Sequence, residues 1–287
     1  MRPIIKNLLI CLLFPFLPAG HSLAEPAAFH HVRLQVQDPA ASVRFYQDIF
    51  GAVPVLYNGQ PALQTEGSRI LFNLVDAKPV SNLLTTISHI GWSGVDGPAE
   101  FGWLQDQGVD FYQPLTPLGR DHYMYLFGPD GEVVEIYTGN RNHTFEHIHL
   151  LATDPGRMMD WLETVLQPET PARRQFVGSM LLIRGINIMV MPNRAPFRPP
   201  EQGEVMVPTE TSTIHHLGFS VTDLDQARAD LLVRGITTVS PTAVDESAGH
   251  RSFFIRGPDG LLLEMLEDEP LPWPPPEPLL YPKEERL

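Results

Sequence analysis

The chain has 287 residues, 43% of them hydrophobic and 19% charged, a composition that folds and leaves room for two domains. Its 34 acidic residues outnumber 20 basic ones, giving a formal net charge of -14. That balance excludes nucleic acid and an anionic membrane surface as partners, because both are held through excess Lys and Arg.

The first segment reads as a leader. Arg2 and Lys6 form a positive start, Asn7 to Leu17 is apolar, and Ser22-Leu23-Ala24 supplies a small-x-small cleavage site. The apolar run is shorter than the ~20 residues needed to span a bilayer, and Pro15 and Pro18 interrupt it. Residues 1–24 are therefore expected to be a signal peptide, and the mature protein to be periplasmic or secreted, with no membrane association after cleavage. Cys11, the only cysteine, lies inside this segment. A mature chain without a thiol excludes a Cys nucleophile, a thiolate metal site and a disulfide.

One pattern then occurs four times. It opens with Phe29-His30-His31-Val32-Arg33-Leu34, Ser88-His89-Ile90-Gly91-Trp92, Phe145-Glu146-His147-Ile148-His149-Leu150 and Ile214-His215-His216-Leu217-Gly218-Phe219. Each reads as a strand with a His near its start and alternating character after it. An Asp follows in each case (Asp38, Asp96, Asp154, Asp223) and caps a helix-like segment; the first carries Val43, Tyr46, Ile49 and Phe50 as its buried stripe. Gly51, Gly108 and Gly235 stop the first, second and fourth helices. Three short strands should follow each helix. In modules two and four the last turn is nearly identical, Gly128-Pro129-Asp130-Gly131 and Gly257-Pro258-Asp259-Gly260, a hairpin signal because Pro fixes φ and Gly accepts a positive one. Each turn leads into an apolar strand carrying one Glu, Glu135 and Glu264.

The expected fold is thus α+β, with four βαβββ modules. Modules one and two should form a domain over residues 29–139, and modules three and four another over 145–268. The Pro-rich stretch 192–212 reads as a long loop joining modules three and four. Residues 269–287 form a Pro-rich acidic tail of extended polyproline character.

The repeated module, the strand His and the Pro-Asp-Gly-x-x-x-Glu ending resemble the vicinal oxygen chelate superfamily of glyoxalases, bleomycin-resistance proteins and extradiol dioxygenases, over nearly all of Phe29 to Asp268. The resemblance implies that modules pair into two cup-shaped domains, each with a divalent metal held by the first strand of each module and the last strand of the second. Placed on this sequence, those positions are His31, His89 and Glu135 in the first domain and His147, His216 and Glu264 in the second. It also implies that a usual glyoxalase would need a second carboxylate from the last strand of modules one and three. Ile70 to Leu74 and Ile186 to Val190 contain none.

Strand alternation supports the placement independently. Val32, Leu34 and Val36 face one way, while His31, Arg33 and Gln35 face the other, into the cup. By the same rule His30 and His215 should point to the opposite face as structural residues, and His149 into the cup. A Glu inside an apolar strand is costly unless it has a cation partner, and neither Glu strand carries a Lys or Arg. Two imidazoles and a carboxylate on one side of an ion form a facial triad suited first to Fe(II), with Mn(II), Zn(II) or Ni(II) as alternatives. The strands before the Pro-Asp-Gly turns are the expected source of acid–base groups: His122 with Tyr123 or Tyr125, and His250 with Arg251.

Three functions stay open: an oxidoreductase of dioxygenase type acting on a small aromatic or enolisable substrate; a metal-dependent lyase, isomerase or transferase; and a non-catalytic small-molecule-binding protein. In each the partner is a small molecule. Monomer and homodimer are both compatible, because tandem domains can complete both cups within one chain.

Overall fold

A computed structural model describes residues 26–175, 178–194, 206–239, 243–245 and 250–268. The leader, the middle of the 192–212 loop and the 269–287 tail lie outside the described residues.

Module one comprises β1 (Ala28–Val36), α1 (Pro39–Phe50), β2 (Val53–Tyr57), β3 (Gln60–Gln64) and β4 (Arg69–Leu74). Module two comprises β5 (Ile87–Ser93), α2 (Gly97–Asp106), β6 (Phe111–Leu118), β7 (Asp121–Phe127) and β8 (Val133–Tyr137). Among the described residues of module three, β9 (Phe145–Ala152) and α3 (Pro155–Leu166) precede β10 (Ser179–Ile183) and β11 (Ile186–Pro192), and a bridge between Arg173 and Met180 stands where a third strand was expected. Module four comprises β12 (Ile214–Val221), α4 (Leu224–Val233), β13 (Ala243–Asp245), β14 (His250–Arg256) and β15 (Leu262–Glu267).

The helix starts follow from their caps. Asp38, Asp96, Asp154 and Asp223 all stand at the N-cap, and each side chain accepts a hydrogen bond from a first-turn backbone N–H. Gly51 ends α1 in the left-handed region at φ 66, where a residue with Cβ would be strained. The buried face of α1 is Ser42, Tyr46 and Phe50, with Val43 and Ile49 partly buried beside it.

The four modules pair into two cup-shaped sheets, but not in chain order. One sheet has eight strands in the order β13-β14-β15-β12-β1-β4-β3-β2; the other has seven, in the order β10-β11-β9-β5-β8-β7-β6. Module one therefore pairs with module four through antiparallel β1 and β12, and module two with module three through antiparallel β5 and β9. We call these the outer and inner sheets, after the positions of their modules in the chain. The ranges 29–139 and 145–268 mark two pairs of modules in sequence and not two sheets. The reason is that a first strand can pair with any other first strand without changing which residues face the cup, so alternation cannot choose the partner.

The face opposite the cup is the core. Val32, Leu34, Val134, Ile148, Leu217 and Leu263 are all at most 1% exposed. This core is shared by the two sheets: Phe50 of α1 stacks on Trp92 of β5 at 4.3 Å between ring centroids, and Phe29 of β1 meets Phe145 of β9 edge to face at 5.9 Å. Among the described residues no helix is long and apolar enough to cross a membrane.

Candidate metal centres

The pairing regroups the expected ligands. In the outer sheet His31 of β1, His216 of β12 and Glu264 of β15 converge; in the inner sheet His89 of β5, Glu135 of β8, His147 of β9 and His149 of β9 do so. All six residues expected as ligands are in one cluster or the other. The expected groupings are not formed, since His31 sits with module four, and His147 with module two.

The spacing within each cluster tests whether an ion fits. Two ligands each about 2.1 Å from one ion lie about 3.0 Å apart at a right angle and about 3.4 Å apart at the tetrahedral angle. In the outer cluster His31 Nε2 is 3.1 Å from His216 Nε2 and 3.3 Å from Glu264 Oε2, and His216 Nε2 is 2.9 Å from the same oxygen. In the inner cluster Glu135 Oε2 is 2.7 Å from His89 Nε2 and 3.0 Å from His147 Nε2. The three outer edges lie within about 0.1 Å of that range, and the two inner edges fall at or below its lower end.

Two glycines make room for the rings. Gly218 pairs with His31 across β12 and β1, and Gly91 pairs with His147 across β5 and β9. A Cβ on Gly218 would stand 2.1 Å from His31 Cε1, and one on Gly91 would stand 2.0 Å from His147 Nε2. Gly91→Ala is expected to abolish metal binding in the inner sheet and Gly218→Ala in the outer one, each without removing a donor and at a folding cost of about 1–3 kcal/mol. Metal content alongside the unfolding midpoint checks this; full occupancy in both variants would refute it.

The residue before each ligand His holds the other ring nitrogen. The β1–β12 ladder skips a residue at His30 and again at His215, and the β5–β9 ladder skips one at Ser88 and at Glu146. A bulge of this kind breaks the alternation and brings two successive side chains toward one face. His30 Nδ1 is 2.9 Å from His31 Nδ1, and His215 Nδ1 is 2.6 Å from His216 Nδ1. Ser88 Oγ is 3.2 Å from His89 Nδ1, and Glu146 Oε1 is 3.3 Å from His147 Nδ1. With an ion bound, each ligand ring can carry its hydrogen on Nδ1, toward the bulged residue, and leave Nε2 bare for the ion. The expectation that His30 and His215 point to the opposite face is thus corrected. Sequence reading also missed Ser88 and Glu146 as ring orienters. The signal available was a polar residue, four times over, at a position that alternation assigns to the core.

The outer cluster connects onward to the surface. His30 Nε2 is 3.0 Å from Asp268 Oδ2, which also accepts from Tyr57 Oη at 2.8 Å. His250 Nε2 lies 3.1 Å from Glu264 Oε1 and so fixes the carboxylate. His250 also lines a cavity of about 310 Å³ with Tyr57, Asn58, Arg251, Glu267 and Asp268.

Of the other acid–base candidates, Tyr123 and Tyr125 share the face of Glu135, and Tyr125 sits 4.9 Å from the His89 ring, centroid to centroid. His122 alternates to the other face, where its Cβ packs under Gly97 of α2. Arg251 points outward to Asp225 at 2.8 Å and Glu267 at 2.9 Å. The roles expected of His122 and Arg251 therefore have no geometry behind them. His149 faces the cup as expected.

Burial alone would push the carboxyls of Glu135 and Glu264 up, but the hydrogen bonds with their histidines outweigh it and hold both well below the usual range. Burial lowers His31, His89 and His216. It acts on His147 too, yet the carboxylates of Glu135 and Glu146 together raise that imidazole to about 9. At pH 7 the metal-free inner centre thus carries a proton on His147 that an incoming ion must displace, whereas His31 and His216 are already neutral. Metal binding at pH 7 is expected to release about one proton at the inner centre and about none at the outer. Titration calorimetry of Glu264→Ala and Glu135→Ala proteins in buffers of different ionisation enthalpy measures this, and equal release would contradict it.

Comparison with known proteins agrees with this geometry. A family model described as the Glyoxalase/Bleomycin resistance protein/Dioxygenase superfamily matches residues 28–136 and again residues 144–265. The chain belongs to this superfamily. Members of the Glyoxalase/Bleomycin resistance protein/Dioxygenase superfamily also appear among similar solved structures. Glyoxalase I from Zea mays superposes with a TM-score of 0.65 at 12% identity, over 84% of this chain and 92% of that one. A candidate dioxygenase from Bacillus subtilis gives 0.61 at 14%, over 86% and 87%. At such identities the likeness establishes the fold alone. No functionally curated protein matches the sequence. Within this superfamily fold the two clusters have the donor types and spacing that could hold a divalent metal.

Proposed function

We propose that this chain is an exported, metal-dependent oxidoreductase of dioxygenase type that uses Fe(II) and acts on a small aromatic or enolisable substrate. The observation that carries the reading is the outer triad: His31, His216 and Glu264 offer three donors no more than 3.3 Å apart, the set from which an ion keeps open positions for substrate. When bound, Fe(II) supplies the one-electron chemistry that O₂ requires. The register adds a second support. Glu135 pairs with Gly91 and Glu264 with Gly218, and the corresponding positions in modules one and three are Leu71, opposite Arg33, and Met189, opposite His149. Neither can supply the second carboxylate of a glyoxalase-type site.

The chain's own groups divide the remaining work. His30 and His215 orient the two ligand rings. His250 holds Glu264 Oε1 on one side and faces the cavity beside Tyr57 on the other, where a ring nitrogen can take or return a substrate proton. The test uses protein recovered from the exported compartment, its first residue expected to be Glu25. Loaded with Fe(II), it should consume O₂ with at least one member of a panel of catechols and hydroxy acids, and Glu264→Ala should lose that uptake. Turnover with Mn(II) or Zn(II) and no O₂ consumption would replace this reading with a lyase or isomerase. Ligand binding that survives loss of both Glu135 and Glu264 would replace it with a sequestering protein.

A further inference from the structure

The two centres are related by the same module pairing, so each residue of one has a register counterpart in the other. His31 facing Gly218 corresponds to His147 facing Gly91. His216 faces Arg33, and at the corresponding place His89 faces His149. Beside Arg33 stands Leu71; beside His149 stands Met189. The inner sheet therefore places a third imidazole where the outer sheet places a guanidinium.

His149 belongs to the inner cluster by distance as well as by register. One of its ring nitrogens lies within 4.8 Å of the donor atoms of His89, Glu135 and His147. Its ring is 4.3 Å from His89 and 4.9 Å from His147, centroid to centroid, and Nε2 stands 2.9 Å from Met189 Sδ. Four protein donors can complete a tetrahedral shell, the closed arrangement of structural zinc sites.

The charges differ in the same sense. Around the inner centre Glu135 and Glu146 offset the two charges of a divalent ion. Around the outer centre two guanidiniums, Arg33 opposite His216 and Arg69 at 2.7 Å from His30 Nε2, stand against the carboxylates of Glu264 and Asp268. Arg33 stands two residues beyond His31 on the same strand face and directly opposite His216 on β12. It is steadied by Asn73 Oδ1 at 3.3 Å. A guanidinium beside a metal fits a carboxylate through paired N–H donors.

We propose that the two centres have separate roles: His149 closes the inner centre as a fourth ligand and makes it a retained metal site, while the outer centre stays open and, through Arg33, selects substrates bearing a carboxylate next to the metal-chelating oxygen, as in 2-hydroxy and 2-oxo acids. The substrate half of this statement rests on the function proposed above; the ligand half stands without it.

The test uses the full chain with Co(II) as the metal and oxalate as the anionic chelate. Glu135→Ala leaves only the outer centre and Glu264→Ala only the inner one. Release of Co(II) to excess EDTA should be at least tenfold slower from the Glu264→Ala protein than from the Glu135→Ala protein. Adding His149→Ala to the Glu264→Ala protein should remove that difference. Oxalate should change the visible spectrum of the Glu135→Ala protein and not that of the Glu264→Ala protein. Arg33→Gln should weaken oxalate at least tenfold with the Co(II) content unchanged. Equal release rates from the two single-centre proteins, or oxalate binding equally well to both, would overturn the proposal and leave a metal-dependent function standing. No Co(II) in either centre would end both. Comparing the two Glu variants does not depend on the His149 variant folding, so the outcome is decided even if that protein is unstable.

Discussion

Replacing Glu264 with alanine is expected to remove one of two metal equivalents, and further replacement of His31 or His216 should then change nothing in the metal that remains. All three side chains serve the outer ion, with donors 2.9 to 3.3 Å apart, so their effects on metal content should be wholly non-additive. Glu264→Ala combined with Glu135→Ala, which acts on the other sheet, should remove both equivalents. An ion at a hundred times its dissociation constant adds about 2.7 kcal/mol to folding stability, so each single-centre variant should also lose metal-linked stability of about that size. Elemental analysis after dialysis, with unfolding measured with and without metal, reads both effects. If His31→Ala instead removed the equivalent that Glu135→Ala removes, ligands would be grouped in chain order and the sheet assignment would be wrong.

The first half of the chain on its own, residues 26–139, is expected not to fold cooperatively. It contains both halves of the pattern from which a cup is built, yet its two opening strands each have their partner in the second half. Without β12 the β1 edge is bare, and without β9 the β5 edge is bare, although both strands are central in their sheets. An open edge on an apolar strand is an aggregation site. The core would be lost as well: Phe29 would lose Phe219 at 5.6 Å and Phe145 at 5.9 Å, and Trp92 would lose its stack on Phe145 at 4.6 Å. Co-expression with residues 145–268 should recover a soluble complex holding two ions. Chemical denaturation and metal content of the halves, separately and together, test this. A first half that unfolds cooperatively and binds one ion through His31, His89 and Glu135 would show that modules one and two can pair.

Much of this protein was legible before any coordinates. The Asp caps announced all four helices because capping is a contact between neighbours in the chain. The side chains that gather in the two cups were legible because a strand's period of two assigns each residue a face whatever the strand pairs with; this separated His31, His89, His147 and His216 from the valines and leucines beside them. Glu135 and Glu264 stood out because a lone carboxylate in an apolar strand needs a cation. Alternation failed at His30 and His215, since a bulge is a property of two strands in register and cannot be seen in one. It was sound for His122 and Arg251, which do alternate away from the ligands' face; what erred there was the expectation of chemistry from their nearness to the turn.

The amino-acid sequence by itself determined the module, its four copies, and the atoms available to bind a metal, all of which depend on local periodicity and local capping. Only the tertiary structure decided that module one closes on module four and module two on module three. With that choice came the membership of each cluster, the buttressing of every ligand ring by its neighbour, and the contrast between His149 and Arg33. Any opening strand could lie beside any other with its face preserved; the choice is made by the shared core behind the cups, where Phe29 meets Phe145 and Phe219, each more than a hundred positions away in sequence.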